Sequence, residues 1–146
     1  MRKGHVMSKL AFIFPGQGAQ KAGMGKDFYE NSEAARSFFD QAQKILDFDL
    51  KEMCFGEHEE LNLTEYTQPC MVSVCLAIVQ ELKKRGINPD ITAGLSLGEY
   101  AAVAAAGGMN ELDAIKLVRR RGILMQSTVP AGEGAMAAVL GLDAKK

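Results

Sequence analysis

The order of apolar runs and chain breakers predicts an α/β fold, with strands and helices alternating along the 146 residues. Three observations carry that reading. An apolar run of strand length, residues 9–14, is cut off by Pro15-Gly16. A segment of helical length that is apolar on most faces occupies residues 68–85. A short strand pattern, Ile91-Thr92-Ala93, runs through Gly94-Leu95-Ser96-Leu97-Gly98 into a helix of small residues.

Residues 1–8 are expected to form a tail, with Met7 as an alternative start. Beyond the strand at 9–14 lies a glycine-rich stretch, residues 16–25. Asn31 or Ser32 then caps a helix over 33–46, in which Ala35, Phe38, Phe39, Ala42, Ile45 and Leu46 recur at helical spacing. A loop-rich segment with short helical turns runs to residue 66. Thr67 is expected to cap the helix over 68–85, with Pro69 in its tolerated first turn and Gly86 just past its end. Asn88-Pro89-Asp90 makes the turn into the strand at 91–94. A helix over 98–106 ends at Gly107-Gly108, and Asn110 caps another over 111–126. Residues 135–142 read as a further strand.

Composition narrows the class. Hydrophobic residues are 47% and charged residues 24%, as in a soluble globular protein, which excludes a disordered or collagen-like chain. Lys plus Arg is 17 against 18 for Asp plus Glu, so no field draws a polyanion and nucleic acid is not expected as a partner. The apolar run Leu10–Phe14 is too short for a signal-peptide core, and no stretch approaches the roughly 20 apolar residues of a membrane span. Cys54, Cys70 and Cys75 have neither C-x-x-C spacing nor histidine partners, so no disulfide framework or metal site is indicated and a reducing, cytoplasmic setting is expected.

Gly94-Leu95-Ser96-Leu97-Gly98 fits G-x-S-x-G, the turn between strand and helix that lifts a serine hydroxyl out of a sheet. Its glycines are needed because a side chain would clash where strand and helix are drawn together. The following helix points its positive end at the serine, which favours a developing oxyanion. The alternative is a structural turn. The loop Pro15-Gly16-Gln17-Gly18-Ala19-Gln20 is not a dinucleotide fingerprint, which needs glycine where Lys21 stands, nor a P-loop, which needs lysine where Met24 stands. It either supplies backbone N–H groups to an oxyanion hole or is an ordinary strand-to-helix turn.

Together, Phe14-Pro15-Gly16-Gln17-Gly18-Ala19-Gln20 and Gly94-Leu95-Ser96-Leu97-Gly98-Glu99-Tyr100 resemble the acyltransferase family of malonyl-CoA:acyl-carrier-protein transacylase. Thr67-Gln68-Pro69, Arg121-Gly122 with Met125-Gln126, and Gly134-Ala135-Met136-Ala137-Ala138 match in order, so the resemblance covers nearly the whole chain from Lys9.

The resemblance implies an [acyl-carrier-protein] S-malonyltransferase of fatty acid biosynthesis. Ser96 would be the nucleophile that takes malonyl from malonyl-CoA, which is a substrate rather than a cofactor, and passes it to the phosphopantetheine thiol of acyl carrier protein. The backbone N–H groups of Gln17 and Leu97 would hold the oxyanion, and Gln68 would help to order the site. Arg121 would grip the free malonyl carboxylate with its planar fork. On a helical wheel Arg121 lies in one face with Ala114, Leu117, Val118, Leu124 and Met125, where a buried charge needs a partner. A solvated basic patch suits Arg119 and Arg120 better, although Leu112, Ile115 and Ile123 make that face partly apolar too.

Two departures from the family pattern stand out. Leu95 occupies the position where the family usually carries histidine. The family's general base is a histidine from later in the chain, whereas this sequence holds only His5, in the tail, and His58, among Glu57, Glu59 and Glu60. By resemblance the fold is an incomplete α/β-hydrolase-like parallel-sheet core over residues 9–134, and residues 135–146 begin a ferredoxin-like inserted subdomain. The chain is accordingly expected to be the N-terminal part of such an enzyme. The competing expectations are a non-catalytic fragment that binds coenzyme A or carrier protein, and a serine esterase built on the same turn.

Overall fold

A computed structural model describes residues 9–129, 132–134 and 141. The tail 1–8 with His5, and the strand expected over 135–142 apart from Gly141, lie outside the described residues.

Two short strands form a parallel sheet. β1 (Ala11–Phe14) pairs with β2 (Ile91–Gly94) in the register Ala11↔Ile91 to Phe14↔Gly94. Asp90 begins the pairing, since its carboxylate accepts the Leu10 N–H at 2.8 Å and its own N–H donates to the Leu10 carbonyl at 2.8 Å. Parallel strands require a long crossover, and four helices fill it. They are α1 (Lys26–Asn31), α2 (Glu33–Gln43), α3 (Leu50–Phe55) and α4 (Thr64–Lys84), with a 3-10 turn at Glu59–Asn62. After β2 come α5 (Gly98–Ala105) and α6 (Glu111–Thr128). The α/β class expected from the sequence is the one observed.

Most boundaries follow the residues that set them. Ser32 caps α2, its hydroxyl accepting the Ala35 N–H at 3.1 Å. The Asn110 side chain caps α6 by accepting from Leu112 and Asp113. Gly86, at φ +74°, turns the chain out of α4 as the Ile87 N–H reaches back to the Leu82 carbonyl. Helix α4 is central as expected, buried on most sides from Thr67 to Val79, and packs against α2, α5 and α6.

Two expectations are corrected. The first is the start of α4, which begins at Thr64 rather than after Thr67, so Pro69 lies inside the helix. Proline has no N–H for the carbonyl four residues back, that of Glu65. Arg119 of α6 supplies the missing donor at 2.9 Å. Thr67 is no cap; its hydroxyl donates to the carbonyl of Leu61 at 2.6 Å. The second is the helix expected over 33–46, which ends at Gln43; α1 precedes it, with Gly25 at φ +78° as its N-cap.

Helices α4 and α6 meet closely at Gly122. A Cβ there would come within 2.8 Å of both the Glu65 Cα and the Thr64 carbonyl oxygen, so the two backbones touch only because the side chain is missing.

Candidate active site

The site begins where β2 gives way to α5. Ser96 has φ +50° and is the one non-glycine residue with positive φ among the described residues. A β-carbon-bearing residue reaches that region at a cost of about 1–3 kcal/mol, which the surroundings must enforce. They do so through closely packed glycines. A Cβ on Gly94 would overlap the Gly98 backbone, and one on Gly98 would reach the Pro15 carbonyl oxygen at 2.6 Å. The end of β1, the end of β2 and the start of α5 therefore converge behind an exposed serine.

The glycine-rich loop lies against the same turn, because a Cβ on Gly16 would stand 2.9 Å from the Leu95 carbonyl oxygen. The backbone N–H groups of Gln17 and Leu97 donate to no partner among the described residues. Leu97 itself is buried and directly precedes α5, whose positive end faces the turn. Leu95 is 72% exposed and offers no polar group beside the serine.

Arg121 reaches the turn from α6. Its Nη2 donates to Ser96 Oγ at 3.4 Å and its Nη1 donates to Gln68 Oε1 at 2.7 Å. Its guanidinium also stacks 5.6 Å from the centre of the Tyr100 ring. Gln68 is fully buried, and its amide nitrogen donates to Met125 Sδ at 3.3 Å, so the orientation of the amide is fixed at both ends. Arg121 has no carboxylate partner among the described residues. Residues far apart in sequence, Gln68, Ser96 and Arg121, are thus brought into hydrogen-bond contact.

The face expected to carry Arg121 is different from the one observed. The buried residues of α6 are Ala114, Ile115, Val118 and Gly122, whereas Leu117, Leu124 and Met125 are exposed. Arg121 sits at the border, half-buried. Arg119 is not a solvated patch residue. It forks onto Asp47 at 2.9 and 3.0 Å, reaches the Glu65 carboxylate at 3.1 Å, and packs against the rings of Phe48 and Tyr66, which meet each other edge to face. That pairing holds the Asp47 carboxyl below its ordinary range, chiefly through the hydrogen bond from Arg119. Arg120 is exposed, as expected.

His58 does not join the serine. Its Nε2 lies 3.0 Å from Glu52 Oε1, and it packs on Gly56 at the end of α3. Cys54 and Cys75 are poor nucleophiles. A hydrogen bond with Cys70, then burial, pushes the Cys54 thiol up, and burial pushes Cys75 up to about 11. The sequence reading missed Tyr100 and Met125 as neighbours of the site, although both stand inside its quoted motifs.

A strained serine turn, two backbone N–H groups without a partner among the described residues and a guanidinium with no carboxylate partner there thus lie close together, and the chain belongs to the acyl transferase domain family, which matches residues 11–146. Among its relatives, the malonyl CoA-acyl carrier protein transacylase of Bacillus subtilis (strain 168) is 51% identical over 140 residues, 95% of this chain and 44% of the relative. The crystal structure of an acyl-carrier-protein-S-malonyltransferase from Bartonella henselae superposes with a TM-score of 0.87 at 41% identity, covering 94% of this chain and 46% of that one. A solved complex of a type II PKS acyl-carrier protein with its malonyl-transacylase superposes with a TM-score of 0.80 at 40% identity, covering 86% of this chain and 41% of that one. The chain spans somewhat under half the length of the curated relatives it matches.

Proposed function

We propose that this chain carries the nucleophile half of a malonyl transfer from malonyl-CoA to acyl carrier protein. The observation that carries the proposal is the Arg121 guanidinium, unpaired with any carboxylate among the described residues, held by buried Gln68 and aimed at Ser96. Ser96 Oγ attacks the thioester carbonyl carbon; the carbon–sulfur bond breaks, coenzyme A leaves as its thiol and a serine ester remains. The pantetheine thiol of the carrier protein then reverses the sequence. The N–H groups of Gln17 and Leu97 receive the oxyanion, where loss of one donor typically costs about 10²–10³ in rate. Arg121 receives the malonyl carboxylate as a two-bond fork. No cofactor enters this scheme, since the thioester is already activated. The names of the relatives, and the carrier protein held by one of them, support the choice of substrate and partner.

The proton of Ser96 needs an acceptor, and the one side-chain hydrogen bond of its hydroxyl among the described residues comes from the cation Arg121. In the family a histidine later in the chain fills that role. This observation favours a second reading for the isolated chain, binding of malonyl-CoA without acylation. We also assign the described α/β unit to the hydrolase-like part of the family fold.

Intact-mass spectrometry after incubation with malonyl-CoA tests both readings. A malonyl adduct lost in Ser96→Ala is the expected result. Saturable binding that Arg121→Ala abolishes, without any adduct, establishes the binding-only reading. Acylation that proceeds equally from acetyl-CoA and survives Arg121→Ala refutes the carboxylate clamp.

A further inference from the structure

Apart from the tight turn at Gln17-Gly18, the stretch Pro15–Gln20 is tied to the rest of the molecule by side chains rather than by backbone–backbone hydrogen bonds among the described residues. One tie is internal, the Gly18 N–H to Gln20 Oε1 at 2.8 Å, with Gln20 in turn donating to Asn62 at the exposed rim at 3.1 Å. The other is partly buried. Gln17 Nε2 donates to Thr64 Oγ1 at 3.0 Å. The Thr64 N–H, at the start of α4, donates to Gln126 Oε1 on α6 at 3.0 Å. Thr64 also presents its carbonyl to Gly122, the residue after Arg121. One residue therefore touches both the loop and the helix that carries the guanidinium.

Resting on the reading of Gln17 as an oxyanion donor, we propose that Thr64 is a positioning residue for the transfer. Its hydroxyl tethers the Gln17 loop, and its backbone fixes that loop relative to Arg121. The tether acts on where the Gln17 N–H stands. It does not act on the grip on the carboxylate, which Gln68 holds separately. Loss of the hydroxyl accordingly slows acylation without weakening malonyl-CoA binding.

The test compares the parent chain with Thr64→Val, which keeps the shape and loses the hydroxyl, and Thr64→Ser, which keeps the hydroxyl. The first readout is the order parameter of the Gln17 backbone amide by ¹⁵N relaxation. A rigid value of about 0.85 in the parent should fall below about 0.6 in Thr64→Val and recover in Thr64→Ser. The second is single-turnover acylation of Ser96 by malonyl-CoA, in which the maximal rate should fall about tenfold in Thr64→Val while the half-saturating concentration stays within about twofold, a modest share of the loss typical of a deleted donor. An amide that stays rigid in Thr64→Val, because Gln20 and Asn62 suffice, overturns the proposal. So does a Thr64→Ser variant as slow as Thr64→Val, or a rate loss accompanied by weaker binding. A parent chain that takes no malonyl, with the Gln17 amide still governed by the hydroxyl, refutes Ser96 acylation in this chain and leaves the tether established.

Discussion

Replacing Arg119 by methionine should destabilise the fold because of a proline on another helix. Pro69 leaves the Glu65 carbonyl without its helical donor, and Arg119 supplies that donor from α6. The guanidinium also forks onto Asp47, but that carboxylate is 67% exposed and such a pair contributes about 0.2–1 kcal/mol. The larger part is the orphaned carbonyl, at about 1–3 kcal/mol. Methionine keeps an apolar stem against Phe48 and Tyr66, so a total loss of about 2–3 kcal/mol is expected, measured by urea unfolding monitored by far-UV circular dichroism. The decisive comparison is the same replacement in a Pro69→Ala background. Alanine restores the N–H at position 69, so removing Arg119 should cost about 1 kcal/mol less there. Equal costs in the two backgrounds would refute the link between the proline and the arginine.

Acid should weaken the fold through two carboxyls. Ser32 and then Arg85 hold Glu81 below its ordinary range, and Arg119 does the same for Asp47. A folded pKa below the unfolded one gives stability that is present above the unfolded value, about 4, and lost as pH falls through the folded one. Urea midpoints should therefore drop below about pH 4, and Glu81→Gln should flatten that drop; an unchanged profile in Glu81→Gln would show that the Ser32–Glu81–Arg85 cluster is not the cause. Replacing Ser96 by glycine should raise stability by about 1 kcal/mol, because φ +50° carries no penalty for glycine, while abolishing any acyl adduct. A destabilised Ser96→Gly would mean that the turn is not strained.

Local signals in the sequence were reliable where the physics is local. Ser32 and Asn110 cap helices because their side chains reach N–H groups two or three residues on, and the G-x-S-x-G turn is recognisable from the glycines within it. The failures came from contacts between distant segments. Nothing near Pro69 announces that Arg119 will repair the helix around it. The wheel that placed Arg121 among Leu117, Leu124 and Met125 assumed that apolar residues mark the packed face. Close contact with α4 instead selected Gly122 and its neighbours. Ser96, Gln68 and Arg121 were each legible as types within motifs, but their mutual hydrogen bonds depend on how α4 and α6 cross.

The pairing of β1 with β2 has a consequence for the order in which the molecule is built. The strands join residues 80 positions apart, as at Leu10 and Asp90. Closing so long a loop costs entropy that must be met before the contact returns anything, whereas α2, α3 and α4 gather from near neighbours in sequence. Loop-closure entropy therefore predicts that the helices assemble first and the sheet closes on them late. Since the turn at Ser96 is forced only by the meeting of both strand ends with α5, the serine acquires its strained backbone among the last events of folding. Partly folded molecules should then take no acyl group, and adduct formation, where it occurs, would report completed folding rather than helix content.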